Sequence, residues 1–311
     1  MERLGVQRLD LVCLTHPHED HFAGLAQVMQ YFTSEGRTVG TFCDSGVEPK
    51  QIATLMRRRH SPSSVVTEFE RLYRFVYNLM DAGRIRYFMA NENSSPLIEV
   101  GDRIRLVPVG PRPDVLSRAI RDVVSAGRMR KDLNRISVVL ALSVQGENST
   151  FDALLAADTD SEGCNSALKR FAEVTRGDGR LDVVKVSHHG SADSHFRSRI
   201  CGHRKSLGAT PAVISAASFD VLPDREVLAD FLRCGWTVLL TAKRVAPTKH
   251  FALELSGRGR GGFGVQTHDI QVTWREADGT KWSPDEARVD AMELPNYGSA
   301  RGVVISAAPP S

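Results

Sequence analysis

The six residues 16–21, with the sequence HPHEDH, constrain this chain more than any other segment. They directly follow an apolar run, and together the run and the cluster predict a strand that ends in a metal-binding loop. Because residues two apart on an extended chain point to the same side, we expect His16 and His18 to face one cation. Asp20 and His21 lie further round the turn, where they could face a second cation.

The side chains of this cluster indicate which metal it would bind. A mixture of imidazole and carboxylate suits zinc, manganese or iron. The cluster itself contains no cysteine, which argues against a structural zinc site of the thiolate type. A single histidine in a loop is usually an ordinary polar surface residue. Three histidines and an aspartate at this spacing, directly after a strand, are rare by chance and favour a metal centre.

Two further predicted strands end in residues of the same chemistry. The apolar run 151–157 ends at Asp158, and the run 181–186 is followed by His188 and His189. Alone, an aspartate after a strand is most often a turn residue, and a histidine pair is most often polar surface. A carboxylate at a strand end can, however, bridge two cations. Three strand ends with such residues therefore favour one joint metal site.

The composition is that of an ordinary globular protein. With 311 residues, 41% hydrophobic and 25% charged, the chain could form one large α/β domain or two modest ones. The net charge of +3 is too small to imply a polyanionic partner by itself. Two segments are locally basic, one over residues 57–60 and a looser one over 118–135. Solvated helix faces explain most such runs, and a phosphate-bearing substrate is the alternative.

The five cysteines are odd in number, far apart and without a CxxC pair, which suits a reducing compartment. The sequence does not open with a secretory signal pattern, and no apolar run approaches the roughly 18 residues that a membrane-spanning helix needs. We therefore expect a cytoplasmic protein without a membrane partner.

The apolar residues alternate between helical and strand periodicity along the chain, which predicts an α/β fold. We expect helices over residues 22–33, 48–60, 65–82, 114–130, 162–175 and 224–233. We expect strands over residues 38–43, 85–89, 104–109, 136–144, 151–157, 181–186, 212–216 and 236–240.

The composition changes near the end of the chain. Residues 1–256 are predicted to form one domain, and 257–311 a C-terminal extension with a strand near 265–274 and then a loosely ordered tail. The segment 257–264 is rich in glycine and arginine. We interpret it as a hairpin turn, with nucleic-acid binding as the alternative.

The motifs at the three strand ends resemble those of metallo-β-lactamase-fold hydrolases, and within them the cytoplasmic domain of the ComEC competence proteins. The resemblance covers about residues 1–255 and implies an αββα sandwich. It is carried by THPHEDH at 15–21, Asn134 with Ser137 before an apolar strand, Asp158, HHGS at 188–191, and a final strand–helix–strand.

The resemblance implies a site with two divalent cations, with Zn2+ expected and Mn2+ as the alternative. His16 and His18 would bind one cation and Asp158 would bridge both. The second cation would take Asp20, His21 and one of the two consecutive histidines. We assign His188 to the metal, and Asp20 and His189 to catalysis, although the sequence does not decide between the two histidines. Residues expected to contact the ligands or the substrate are Asn134, Ser137 and Ser191.

The sequence also departs from the family pattern. The sequence lacks the strands that normally precede the HxHxDH strand. A misplaced start, a truncated gene, or a partner chain or oligomer that completes that sheet edge are the alternatives that we consider. Ala157 stands where the family has glycine, and no suitable histidine lies between His21 and Asp158.

Metal-dependent hydrolysis of a phosphodiester, such as DNA or RNA, is the function that the resemblance and the nearby basic residues imply. The first alternative is hydrolysis of a small ester or a cyclic nucleotide. The second is a non-catalytic binding or regulatory subunit with a vestigial metal site.

Overall fold

The computed structural model describes residues 7–34, 36–58, 60–126, 132–146, 150–205, 210–215 and 222–241, together with strands at 252–258, 262–268, 287–288 and 303–307. The chain divides into two compact units. The first unit comprises Met1–Ile98 and Val107–Val139, and the second comprises Glu99–Leu106 and Leu140–Ser311. Helices and strands occur in both, and the predicted α/β fold is confirmed.

The first unit contains a parallel sheet with the order β1-β2-β3. Its strands are β1 (Arg8–Cys13), β2 (Thr38–Asp44) and β3 (Arg86–Met89). Because both pairs are parallel, the carboxyl ends of all three strands lie at one edge of the sheet. The HPHEDH segment follows β1 at that edge. Among the described residues β1 is an outer strand, and its completion by a partner chain stays a prediction.

The helices of the first unit pack on this sheet through apolar faces. They are α1 (Glu19–Phe22), α2 (Leu25–Phe32), α3 (Pro49–Arg58), α4 (Ser63–Asp81), α5 (Pro113–Ala126) and α6 (Asp132–Arg135). The aromatic residues of α4 belong to the core, as their helical spacing indicates, and Phe69 packs edge-on against Phe22 at 5.2 Å between ring centroids. The single helix predicted over 22–33 is broken at Gly24, whose φ of +77° is left-handed.

The second unit contributes most of a larger mixed sheet. Its strands are β4 (Ile98–Val100), β5 (Ile104–Gly110), β6 (Val139–Gln145), β7 (Thr150–Leu155), β8 (Val183–Lys185), β9 (Pro211–Ser215), β10 (Thr237–Thr241), β13 (Ala287–Arg288) and β14 (Val303–Ala307). Among the described residues their order is β13-β14-β10-β9-β8-β7-β6-β5-β4. Strands β7, β8, β9 and β10 run parallel, so their carboxyl ends share one edge. Helices α7 (Ser161–Val174) and α8 (Arg225–Arg233) belong to this unit.

The C-terminal part of the chain is described only at four strands. Strands β11 (Ala252–Arg258) and β12 (Gly262–His268) form an antiparallel hairpin. Residues 257–258 and 262–264 of the predicted turn lie in these strands, and residues 259–261 lie outside the described residues. Strand β14 pairs with β10. The domain boundary predicted at 256 and the loosely ordered tail stay predictions, since most of that tail also lies outside the described residues.

The cysteines differ from the expectation in one respect. Cys201 and Cys234 form a disulfide, which joins a short 3-10 segment to the residue that follows α8. Cys13, Cys43 and Cys164 are free. Within the described part of the chain, no helix has the length and apolar character needed to cross a bilayer.

Candidate metal centre

The loop between β1 and α1 brings two histidines together. His16 is 1% exposed, and its Nε2 lies 2.9 Å from His18 Nδ1. Two imidazole nitrogens that bind one zinc ion tetrahedrally at about 2.0–2.1 Å lie about 3.4 Å apart. The two nitrogens therefore converge nearly as a chelating pair does, and they suit one cation, as their spacing in the sequence predicts.

Asp20 and His21 lie in the short helix α1, beside this pair. His21 Nε2 is 3.6 Å from Asp20 Oδ2, and the His21 ring centroid is 4.1 Å from that of His16. The Asp20 side chain is 57% exposed, so its carboxylate faces solvent. The donor set of this unit is therefore three imidazoles and one accessible carboxylate, a mixture that fits a borderline divalent cation.

A buried polar pocket lies behind His16. Asp44 ends β2, is 3% exposed, and accepts hydrogen bonds from the hydroxyls of Tyr73 at 2.6 Å and Tyr87 at 2.9 Å. Burial raises the pKa of Asp44, and these hydrogen bonds oppose the rise. Asp44, Tyr73 and His16 line a small cavity with room for about one water molecule. The sequence indicated only a turn at Asp44.

Asn134 and Ser137 are placed beside the histidine loop. Both are buried, and the N–H of Val138 donates to the carbonyl of Thr15 at 2.9 Å. The segment after α6 is therefore hydrogen-bonded to the residue that immediately precedes His16. This position is compatible with the supporting role predicted for Asn134 and Ser137.

In the second unit, Asp158 lies in the turn between β7 and α7 and is 2% exposed. His189 Nε2 is 3.7 Å from its Oδ2, and Lys185 Nζ is 3.9 Å from its Oδ1. The nearby Asp160 has a different role, because its side chain accepts the N–H of Gly163 and caps α7. Of the two aspartates after β7, only Asp158 is thus placed with histidine and lysine.

The two consecutive histidines after β8 have different hydrogen-bond partners. His189 Nδ1 lies 2.6 Å from the carbonyl oxygen of Ser215, and His188 Nδ1 lies 3.1 Å from Ser194 Oγ. A carbonyl oxygen only accepts, so Nδ1 of His189 donates to Ser215, and Nε2 is the ring nitrogen that faces Asp158. Asp158 and His189 in this unit, like Asp20 and His21 in the first, offer ligand atoms suited to a metal ion.

The backbone around these residues is left-handed at several positions. His188 has a φ of +45° and His189 of +55°, while Gly190 follows at +82°. Ala157, just before Asp158, has a φ of +49°. Non-glycine residues in this region carry strain, and such strain is concentrated at functional sites. Ser191 follows directly, and its N–H donates to the carbonyl of His188 at 3.0 Å.

Three residues of the second unit that sequence reasoning did not single out contact Asp158, His188 or His189. Lys185 donates to the carbonyls of Ala157 and Val186 as well as approaching Asp158. Ser215 and Ser194 orient the two histidines. A lysine at the end of an apolar strand was a usable signal for Lys185, whereas the two serines lie at a distance in the sequence and carry none.

The predicted basic runs are partly neutralised by acidic side chains, in one case from the neighbouring helix and in the other from the same helix. Arg57 pairs with Glu70, and Arg118 pairs with Asp114 at 3.0 Å. These pairs favour solvated helix faces at those positions. The residues 127–131 of the second run lie outside the described residues.

Comparison with known proteins gives one match. The family model of the metallo-beta-lactamase superfamily matches residues 1–38, which contain β1, the HPHEDH loop and α2. No curated protein and no solved structure matched the chain significantly. The match agrees with the superfamily resemblance of the first motif and supports a metal-dependent hydrolase in general.

Proposed function

We propose that this chain is a metal-dependent phosphodiesterase or nuclease that uses two divalent cations, Zn2+ or Mn2+. The observation that carries the proposal is the convergence of His16 Nε2 and His18 Nδ1 at 2.9 Å, inside the segment that matches the superfamily. Two imidazole nitrogens that converge in this way suit a shared cation.

The ligand assignment follows from the partners of each side chain. As the resemblance implies, His16 and His18 would bind the first cation, and Asp20 and His21 would bind the second with one of the two consecutive histidines. We propose His189 for that position, because its Nδ1 is bonded to Ser215 and its Nε2 faces Asp158. This differs from the assignment made on sequence alone, which gave the metal to His188. By the superfamily resemblance, Asp158 would be a ligand common to both cations.

The remaining groups act on substrate and water. When bound, the cations would lower the pKa of a water ligand to about 7 and stabilise the negative charge that develops on the substrate. Asp20 is exposed enough to orient that water. His188, whose Nδ1 lies beside Ser194 Oγ, would contact the substrate or move a proton. Lys185 partly balances the charge of Asp158.

A phosphodiester is the substrate that the ComEC resemblance favours. Lys185, 26% exposed, adds one cationic group beside Asp158. A polyanionic substrate binds through several such charges, so nuclease activity should fall steeply with salt, whereas turnover of a small ester or cyclic nucleotide should change little.

The decisive experiment combines elemental analysis with cleavage assays. Purified protein is assayed on single-stranded DNA, double-stranded DNA, RNA and bis-p-nitrophenyl phosphate, before and after chelation. His18→Ala and Asp158→Ala are the test variants, and His60→Ala, which changes an exposed histidine in another loop, is the control.

We expect bound metal and metal-dependent cleavage in the wild type and in His60→Ala, and loss of both in the two test variants. Wild-type metal content and activity in His18→Ala and Asp158→Ala would refute the proposed site. Metal bound at full stoichiometry without cleavage of any substrate would favour the non-catalytic regulatory subunit instead.

A further inference from the structure

One hydroxyl in the histidine loop contacts two proposed metal ligands at once. Thr15 Oγ1 lies 3.0 Å from His21 Nδ1 and 3.3 Å from His16 Nδ1. The proposed function places these two histidines on different cations. Thr15 therefore contacts one ligand of each cation, although it binds neither cation itself.

We propose that Thr15 is a shared positioning residue: its hydroxyl oxygen accepts the Nδ1–H of both His16 and His21 and so keeps the Nε2 of each ring for a metal. This inference rests on the proposed function for the identity of the ligands. It adds a residue that fixes the protonated nitrogen and the orientation of both rings.

The chemistry of imidazole makes the choice of nitrogen decisive. A neutral ring has one N–H and one lone pair, and only the nitrogen with the lone pair binds a metal. A hydroxyl oxygen has two lone pairs, so it can accept from two rings. Histidines that bind metals almost always donate their other N–H to an oxygen, and the loss of that partner typically costs 10–100-fold in metal affinity.

The opposite side of each ring supports the same assignment. His16 Nε2 faces His18 Nδ1 at 2.9 Å, and His21 Nε2 faces Asp20 Oδ2 at 3.6 Å. In each case the Nε2 atom faces the other ligand of its own cation, while Nδ1 faces Thr15. One oxygen on the Nδ1 side thus orients both rings toward their cations.

The backbone holds Thr15 in place for this role. The N–H of Leu14 donates to the carbonyl of Cys43 at 2.9 Å, and the carbonyl of Thr15 accepts the N–H of Val138 at 2.9 Å. Bonds to two different neighbouring segments therefore fix the chain on both sides of the Thr15 Cα. The β-branched side chain adds a restricted χ1, so the hydroxyl has few alternative positions.

The test uses two substitutions that separate the oxygen from the shape of the side chain. Thr15→Val keeps the shape and removes the oxygen, whereas Thr15→Ser keeps the oxygen and removes the methyl group. Affinities for both cations are measured by competition of Zn2+ and Co2+ against a chelator, with stoichiometry from elemental analysis. Urea unfolding of the metal-free proteins reports any general loss of stability.

We expect Thr15→Val to lower the affinity for both cations by about 10–100-fold, and Thr15→Ser to stay within a few-fold of the wild type. Wild-type affinities in Thr15→Val would overturn the proposal. An equal loss in Thr15→Ser would also overturn it, since the methyl group rather than the oxygen would then matter.

A second measurement does not depend on metal binding. Long-range 1H–15N correlations of the metal-free wild type should show His16 and His21 with the proton on Nδ1, and Thr15→Val should shift both toward the Nε2–H tautomer. Protons on Nε2 in the wild type would refute the role of Thr15. Protons on Nδ1 in a wild type that binds no metal would instead refute the proposed function while the hydrogen-bond assignment stands.

Discussion

Ala157 is held in a conformation that glycine adopts more easily, and this gives a quantitative prediction. Its φ is +49°, and a left-handed conformation costs an L-residue about 1–2 kcal/mol. Ala157→Gly removes that cost. Two other effects of the substitution destabilise the folded state. Glycine loses more backbone entropy on folding, which costs about 0.5–1 kcal/mol, and the buried methyl group of Ala157, which is 4% exposed, is lost at a cost of at most about 0.8 kcal/mol. These terms nearly cancel, so the free energy of unfolding should stay within about 1 kcal/mol of the wild type.

Ala156→Gly is the matched control. Ala156 is 0% exposed, and its φ is not positive. The substitution therefore has the same entropic and burial losses without the relief of strain. We expect the unfolding free energy of Ala156→Gly to be about 1–2 kcal/mol lower than that of Ala157→Gly. This difference equals the cost of the left-handed conformation of Ala157.

Urea unfolding of the metal-free proteins measures this difference. Metal must be removed because a ligand that binds only the folded state adds its own stabilisation. If Ala157→Gly is as destabilising as Ala156→Gly, then Ala157 is not left-handed in solution, and the reasoning about the turn before Asp158 fails.

Three further predictions concern other parts of the chain. Burial raises the pKa of Asp152, so the stability that this carboxyl contributes is complete below about pH 3.9 and is lost as pH rises toward the raised pKa. The unfolding free energy of the wild type should therefore fall relative to that of Asp152→Asn between about pH 4 and pH 7. A constant difference between the two proteins would contradict this. The bond between Cys201 and Cys234 closes a loop with a sequence separation of 33, so Cys201→Ser together with Cys234→Ser should lower the unfolding free energy by about 3–4 kcal/mol without reductant and leave it unchanged with reductant. His189→Ala should lower metal affinity more than His188→Ala does in the same chelator competition, because only His189 faces Asp158, and the reverse order would restore His188 as the ligand.

The strand ends were predictable from sequence because each combines an apolar run with polar ligand residues. Parallel strands then place their carboxyl ends at one edge, which puts the HPHEDH loop beside Asp44 in one unit and Asp158 beside His189 in the other. The same patterns did not reveal the break at Gly24. A left-handed glycine between two apolar turns keeps the helical periodicity of the sequence almost intact.

The choice between His188 and His189 could not be made from sequence for a physical reason. The two residues are adjacent, and their roles depend on Ser194 and Ser215, which other segments bring to them. The pairing of Cys201 with Cys234 has the same origin, since only the approach of the 3-10 segment to the end of α8 makes it available. Contacts between distant segments are set by packing, and no local pattern encodes them.

Gly190 is required by space rather than by reaction chemistry. Its φ is +82°, and a Cβ at this position would lie 2.5 Å from Pro223 Cβ. A chain that had lost its metal ligands but kept its fold would still need glycine here. Among distant chains, a glycine at this position therefore marks inherited architecture, whereas aspartate and histidine at positions 158 and 189 mark retained chemistry. The two can be lost separately during divergence, so a glycine of this kind does not by itself identify a working enzyme.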